Sequence, residues 1–386
     1  MVILTNVGED TVIMLTTKIA QEIVRETSLR LQRNINIMDV DGIIIATKDT
    51  SRIGLIHEGA IEVLRSGNTL IIDAEENKNW EVAQPGVNLP IVFQEETIGV
   101  IGITGDPDEM KDVGELVKMT TELMIKQEFI ASQQEWRQQT KDMIVGELLK
   151  IDPSYGQIQR GLSLLKFDLH PAFLTILIDI TERSISNQAL IQKLENSIGT
   201  SNGIVSFINI HRILITFSGF DENEVNHSVD RIYKAMKKTD IVFKMAYSLP
   251  FHKLEKFRQA YLDCDLTLQI SQDSEELVSF TNIEVKSLIY QLDETLAKRF
   301  SNRIFKDGDN AVRSKTLKAF FTNDLNIQKA ADELYVHRNT LIYRLNKFTK
   351  DTGYDPRKFD DALNLQVSLW IAEKAEEEVK DKKLKG

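Results

Sequence analysis

The chain has 386 residues and a formal net charge of -11, and its content of 42% hydrophobic and 27% charged residues is that of a globular protein. The length predicts two or three domains, and the acidic balance excludes a chain that coats nucleic acid without specificity. A single cysteine, Cys264, excludes an internal disulfide and a thiolate-rich zinc site. Without a signal-peptide pattern or an apolar run of roughly 20 residues, we expect a cytoplasmic protein that does not contact membranes.

The first hundred residues predict a compact α+β domain that ends near Pro107. Apolar side chains at helical spacing predict a helix over residues 15–33. Two apolar runs within 35–47 meet at Asp41-Gly42, and such a pair supplies the positive φ of a tight hairpin turn. Further predicted elements are a helix at His57–Arg65 and strands at Asn68–Asp73, Pro90–Phe93 and Thr97–Thr104.

Three further segments follow. Residues 109–149 contain no proline and are rich in helix formers, so we expect a long helix that connects two domains and supports a dimer. Pro153 ends it. Strand and helix patterns alternate over 167–285, which predicts a second α+β domain, whereas 286–386 has no strand pattern and is predicted to be helical.

Two short helices around a tight turn are predicted between Asn326 and Leu345, with Asn326 as N-cap and the turn at Tyr335 and Val336. The residues predicted to face inward are Ile327, Ala330, Ala331, Leu334, Leu341, Leu345 and Phe348. The residues left facing outward on the second helix are Arg338, Asn339, Thr340, Tyr343, Arg344 and Lys347. These side chains suit base edges and phosphates, and the second helix of such a pair enters the major groove. Two ordinary solvated helices of a bundle are the alternative.

Local charge agrees weakly with a DNA-binding segment. Eight Lys and Arg residues stand against six Asp and Glu residues between Thr316 and Asp360, a balance of +2 in an otherwise acidic chain. The string A-A-x-x-L-x-V-H-R-N-T-L-x-Y-R-L, followed by T-G-Y-D-P and LNLQVSLWI, resembles the C-terminal helix-turn-helix of PucR/CdaR regulators and, more distantly, the Fis-type motif. The resemblance covers about Leu317 to Ile371. It implies DNA contact by His337, Arg338, Asn339, Thr340, Tyr343 and Arg344, and Lys347 is expected to join them from its outward position on the same helix. No second metal ligand lies near His337 in the sequence.

The N-terminal segments R-N-I-N-I-M-D, S-R-I-G-L-I-H-E-G-A, P-G-V-N-L-P and I-G-V-I-G-I-T-G together resemble the sugar diacid recognition domain of carbohydrate diacid regulators, over roughly residues 12–130. The resemblance implies a PAS/Cache-like sensor for glucarate, galactarate, glycerate or glycolate. An arginine fork near a helix N-terminus suits a carboxylate. The expected ligand-binding residues are Arg52, His57, Asn88, Leu89, Gly102 and Thr104. A surface salt bridge of Arg52 or His57 to Glu58 or Glu62 is the alternative, and Asp39 and Asp41 are expected to be hairpin residues, not metal ligands.

Segment 167–285 resembles the degenerate GGDEF-like domain of the same regulators. An active diguanylate cyclase needs a Gly-Gly turn, and this chain has Asn209-Ile210-His211-Arg212 at that place and no Gly-Gly pair anywhere. We therefore expect no catalysis, no metal and no cofactor. The predicted domains of this multidomain α+β chain are 1–134 (ligand sensing), 135–160 (helical linker), 161–285 (GGDEF-like) and 286–386 (all-α, helix-turn-helix).

The expected function is a transcription regulator, an activator for the uptake or catabolism of its acid effector. Its expected partners are a double-stranded DNA operator, the small organic acid and a second copy of the chain, since operators are commonly symmetric. The alternative is a signalling enzyme of diguanylate cyclase descent that an acid ligand tunes.

Overall fold

The chain divides into two compact units, Met1–Gln139 and Thr140–Gly386. The computed structural model describes residues 3–7, 10–73, 84–182, 185–198, 203–272, 274–305 and 311–384.

The elements of the first unit match the sequence pattern closely. They are β1 (Ile3–Val7), β2 (Asp10–Met14), α1 (Thr17–Leu31), β3 (Ile35–Met38), β4 (Ile44–Thr47), α2 (Glu58–Ser66), β5 (Leu70–Ile72), β6 (Gly86–Phe93), β7 (Glu96–Thr104) and the greater part of α3 (Pro107–Leu148). The hairpin of β1 and β2 was not predicted, and β6 begins four residues before the predicted Pro90. The helices, the β3–β4 hairpin and the strands β5 and β7 are confirmed.

Five strands form one antiparallel sheet in the order β4-β3-β7-β6-β5. Side chains alternate between its two faces because a strand has a period of two residues. One face packs against α1 and α3 in a core that includes Ile37, Leu89 and Ile101. On the other face, Met38 and Val100 pack against α2. Neighbouring residues of one strand therefore pack on opposite sides of the sheet, one against α1 and α3 and the other against α2.

The predicted turn between β3 and β4 is confirmed. Gly42 has a φ of +77°, in the left-handed region that glycine favours. The Asp39 carboxylate accepts hydrogen bonds from the backbone N–H groups of Asp41 and Ile43, each at 3.0 Å. Asp39 is thus a turn-forming residue. No group of three or more His, Cys, Asp or Glu side chains that could hold a metal occurs among the described residues.

The α+β part of the second unit contains α4 (Tyr155–Leu165), β8 (Phe173–Glu182), α5 (Asn187–Ile198), β9 (Gly203–Asn209), β10 (Arg212–Ser218), α6 (Val225–Lys237), β11 (Val242–Tyr247), α7 (Phe257–Ile270) and β12 (Leu277–Ser279). Its sheet has the order β12-β11-β8-β10-β9, in which β11 and β12 are parallel and the other neighbours antiparallel. The last turns of α3 contribute Ile144 and Leu148 to a core with Leu177 and Leu214. The alternation of strands and helices predicted over 167–285 is confirmed by β8, α5, β9, β10, α6 and α7. No pattern predicted β11 or β12, and α4 begins inside the predicted helical linker 135–160.

From Phe280 onward the described chain is helical, as predicted. The helices are α8 (Phe280–Tyr290), α9 (Glu294–Ile304), α10 (Ala311–Thr322), α11 (Ile327–Glu333), α12 (Arg338–Thr352) and α13 (Phe359–Leu384). Glu373 of α13 lies 2.8 Å from the ammonium groups of both Lys286 and Lys318, so α13 is held to α8 and α10. In the part of the chain that the structure describes, no helix is long and apolar enough to cross a membrane.

Candidate nucleic-acid interface and ligand pocket

The predicted helix-turn-helix forms from α11 and α12. Asn326 caps α11: its side-chain oxygen accepts from the backbone N–H groups of Gln328 and Lys329 at 3.0 and 3.1 Å. Ala330 and Ala331 are fully buried, and their small side chains let α12 approach closely. The turn contains Tyr335, whose φ of +53° lies in the left-handed region. The sequence pattern therefore placed both the cap and the turn correctly.

The second helix, α12, begins after His337, whose Nδ1 accepts from the backbone N–H of Asn339 at 3.3 Å. Three residues on its inner face, Leu341, Leu345 and Phe348, are buried in a core shared with α10 and α13. This spacing fixes which side of α12 faces the domain. His337 caps the helix with one ring nitrogen, which leaves Nε2 at the exposed end.

The opposite side of α12 is open. Arg338, Asn339 and Thr340 are exposed in its first turn, and Tyr343 is 66% exposed in the next. Lys347 is exposed and Arg344 half-buried; with Tyr343 they line a shallow groove against α10. The seven residues expected to contact DNA therefore lie along one surface, formed by the cap and the outer side of α12. We call these residues the recognition surface.

In the first unit, four of the expected ligand-binding residues lie on the α2 face of the sheet or at its edge: His57, Asn88, Gly102 and Thr104. Gly102 of β7 is paired with Asn88 of β6, and Asn88 is buried with 4% exposure. A Cβ at Gly102 would lie 2.7 Å from the Oδ1 of Asn88, and one at Gly59 of α2 would lie 3.3 Å from both the Nδ2 of Asn88 and the Cε1 of His57. The two glycines thus allow Asn88 and His57 to lie next to each other.

His57 caps α2 and is buried with 3% exposure. Its Nδ1 accepts from the backbone N–H of Ala60 at 3.2 Å, so in the neutral ring the proton is on Nε2. Burial, followed by the charge of Arg52, lowers the pKa of His57 to about 4, against a smaller opposite effect of Glu58. At neutral pH His57 is therefore an uncharged hydrogen-bond donor near the guanidinium of Arg52.

Arg52 ends a short 3₁₀ turn, Thr50–Arg52, and is 91% buried, with 9% exposure. Asp49 stabilises the turn by accepting from the backbone N–H and the hydroxyl of Ser51. Arg52 and His57 are therefore interior residues, which the surface salt-bridge alternative did not anticipate. Glu62, one partner proposed in that alternative, pairs with Arg65 instead.

Leu89 differs from the other expected ligand-binding residues in the position of its side chain. Its side chain is fully buried on the opposite face of the sheet, where it packs in the α1–α3 core next to Gly114. Leu89 follows Asn88 in the motif P-G-V-N-L-P, and strand alternation sends the two side chains to different layers. Thr104, half-buried at the end of β7, lies on the same face as Gly102, two residues along.

Sequence reasoning missed three further residues of this face. Asn36 of β3 pairs with Gly102 on one side and with Thr47 of β4 on the other, and both are buried. Gly59 is the third. A signal was available in the motif R-N-I-N-I-M-D, where asparagines alternate with isoleucines in a strand. We call Thr47, Asn36, Gly102 and Asn88 the polar row.

In the GGDEF-like segment, β9 and β10 are joined by a tight turn that contains no Gly-Gly pair. Asn209 forms the turn by accepting from the backbone N–H of His211 at 2.9 Å. Arg212 pairs with Asp265 at 2.6 Å and lies 3.6 Å from Asp179. The guanidinium of Arg212 therefore offsets the negative charge of Asp265 and Asp179 beside this hairpin.

Together, the capped helices, the tight turn and the open polar side of α12 define a helix-turn-helix DNA-binding protein. Family models match three successive parts of the chain: sugar diacid recognition over residues 15–148, a GGDEF-like domain over 151–270 and the PucR C-terminal helix-turn-helix domain over 314–371. The chain thus carries the three domains that its motifs predicted and resembles the carbohydrate diacid regulators, and it is a DNA-binding transcriptional regulator.

Three relatives extend over nearly the full chain. The carbohydrate diacid regulator of Escherichia coli is 27% identical over 380 residues, which cover 93% of this chain and 98% of that protein. An uncharacterised protein of Haemophilus influenzae is 29% identical, with 91% and 98% covered, and the protein YsfB of Bacillus subtilis is 24% identical, with 92% and 97% covered. The order of domains is therefore shared along the whole length.

Proposed function

We propose that this protein is a cytoplasmic activator of transcription whose effector is a small hydroxy acid or sugar diacid of the glycerate, glycolate, glucarate or galactarate class. Its target genes serve the uptake or catabolism of that acid. The single observation that supports this most is that Arg52, His57 and Asn88 are all buried, with the charge of Arg52 acting on His57 and the Asn88 amide next to Gly59 at the start of α2. Arginine forks and free helix N–H groups both favour carboxylates.

In this proposal one carboxylate of the effector pairs with Arg52 and accepts a hydrogen bond from the Nε2–H of His57. The Asn88 amide, which lies over Gly102, contacts a hydroxyl or the second carboxylate. Thr104 borders the same face, and Leu89 contributes through its position in the strand only. A PAS/Cache-like sensor is consistent with a five-stranded antiparallel sheet that has α2 on one face and α1 with α3 on the other.

The recognition surface is the proposed operator contact. Arg338 and Asn339, in the first turn of α12, read base edges, while His337, Thr340, Tyr343, Arg344 and Lys347 contact the backbone or flanking bases. We propose that a homodimer places two copies of α12 on an operator with two half-sites. The GGDEF-like domain has no catalytic role in this scheme, which the ion pairs of Arg212 support.

A pair of variants tests the two sites separately. Arg52→Ala is expected to abolish the thermal shift that the acids produce, with operator affinity kept. Arg338→Ala is expected to weaken operator binding by about 1–3 kcal/mol with acid binding kept. Thermal-shift titration with glycerate, glycolate, glucarate and galactarate, and fluorescence anisotropy with promoter DNA, give the two readouts. An unchanged shift in Arg52→Ala would place the effector elsewhere, and unchanged anisotropy in Arg338→Ala would refute the proposed contact.

A nucleotide-turnover assay examines the enzyme alternative. The proposal expects no cyclic dinucleotide from guanosine triphosphate with or without acid, and any product formed in proportion to protein would favour the signalling enzyme.

A further inference from the structure

The polar row contains an acceptor that the fold itself does not use. Asn36 is 3% exposed, and its side-chain oxygen Oδ1 has no hydrogen-bond partner among the described residues. A buried carbonyl oxygen without a donor costs free energy, so such an atom is retained where something else supplies the donor.

The register of the sheet directs Asn36 toward the same space as Asn88. Asn36 is paired with Gly102, and Gly102 with Asn88, so the two asparagines lie on the same face and flank a residue without a side chain. Cα atoms of paired antiparallel strands are about 4.5–5.5 Å apart, which leaves roughly 10 Å between the two asparagines. The Oδ1 of Asn88 already lies over Gly102, so an acid within reach of both amides lies beside the Asn88 amide, on the side of Asn36.

The Oδ1 of Asn36 can bind only a group of the acid that donates a hydrogen bond. An amide oxygen only accepts hydrogen bonds, and an ionised carboxylate has no proton to donate. A hydroxyl can donate. Resting on the proposed acid pocket, we infer that Asn36 is a specificity-determining residue that accepts a hydrogen bond from a hydroxyl of the effector and so separates hydroxylated acids from their unhydroxylated analogues.

Substitution of Asn36 by leucine, which has a similar volume and no polar atom, separates this role from a structural one. Removal of an unsatisfied buried acceptor is expected to leave the melting temperature of the free protein unchanged or higher. Binding of hydroxylated acids is expected to weaken in the same variant. If Asn36 were needed only for folding, its substitution would lower both the melting temperature and the affinity for hydroxylated acids. Asn36→Thr, which keeps an oxygen that can accept, is expected to retain part of the wild-type selectivity.

Isothermal titration calorimetry of the full chain measures the selectivity directly. Galactarate is compared with adipate and glycerate with propionate, because each pair differs only in hydroxyl groups. The wild-type protein is expected to favour the hydroxylated member, and Asn36→Leu to reduce that ratio by roughly threefold to tenfold, the effect of one lost neutral hydrogen bond. Ser28→Ala is the matched control: Ser28 is buried with an unpartnered hydroxyl, but lies on α1. Its ratio is expected to equal that of the wild type.

Three results would overturn the inference alone: an unchanged ratio in Asn36→Leu, no preference in the wild type, or a variant destabilised by the loss of the amide. Failure of the proposed function would give a different result: the wild-type protein would show no binding heat with galactarate, adipate, glycerate or propionate.

Discussion

The buried imidazole of His57 makes the stability of the first unit depend on pH. Its pKa in the folded protein is about 4, below the ordinary value of 6.5. Between these two values the unfolded chain binds a proton that the folded chain does not, so the stabilisation is complete above pH 6.5 and is lost as the pH falls toward 4. For a single group with these two values, the loss between pH 7 and pH 5 is about 2 kcal/mol.

Other groups also titrate in this range, so the contribution of His57 is measured by difference. Asparagine does not titrate and is a good N-cap, so His57→Asn removes the pH effect while an acceptor for the Ala60 N–H is kept. His227→Asn, at an exposed position of α6, is the control for a histidine-to-asparagine change. Urea unfolding at pH 7 and pH 5, followed by hydrogen exchange of peptides from β6 and β7, reports on the first unit.

We expect the wild type and His227→Asn to lose about 2 kcal/mol more than His57→Asn between the two pH values. An equal loss in all three proteins would show that His57 does not resist protonation in the folded state. The reasoning about an uncharged Nε2–H donor in the acid pocket would then be wrong as well.

Two other substitutions test local features. Asn326→Ala removes both cap bonds of α11 and is expected to lower the free energy of unfolding of the C-terminal helices by about 1 kcal/mol, measured by urea titration; no loss would contradict the cap. Gly102→Ala forces the Asn88 amide to move and is expected to weaken acid binding in calorimetry. Its control, Gly156→Ala, meets no atom within 4 Å in α4 and should leave affinity unchanged; equal effects of the two would argue against the pocket.

Most of the fold could be predicted because its local signals are strong. The Asp-Gly turn, the cap at Asn326 and the i, i+4, i+7 spacing of Leu341, Leu345 and Phe348 are each determined by neighbouring residues. The missed elements lack such signals. β11 and β12, for example, pair in parallel, and β12 has only three residues, so their pairing depends on distant chain segments.

The positions of the residues in the proposed acid pocket were predictable only in part. Arg52 and His57 stand out as polar residues in an apolar stretch, but whether they are buried depends on tertiary contacts that the sequence does not display. Asn36 and Gly102 are 66 positions apart in the chain and become neighbours only through the register of β3 with β7. Leu89 is next to Asn88 in the chain, but its side chain lies in the core on the opposite face of the sheet.

Strand alternation also constrains how an effector could influence the rest of the molecule. In β6, Asn88 belongs to the polar row and Leu89 to the core under α3; in β7, Gly102 is flanked by Ile101 and Ile103 of that core. The same strands therefore carry the proposed acid pocket on one face and support the start of the 42-residue helix α3 on the other. The Glu122 carboxylate of α3 accepts from the backbone N–H of Val92 in β6 at 2.9 Å, which ties the helix to a strand of the pocket. An effector changes the position of α3 only if these strands have two arrangements that the effector binds with different affinities. Equal affinities would leave the equilibrium between the two arrangements unchanged.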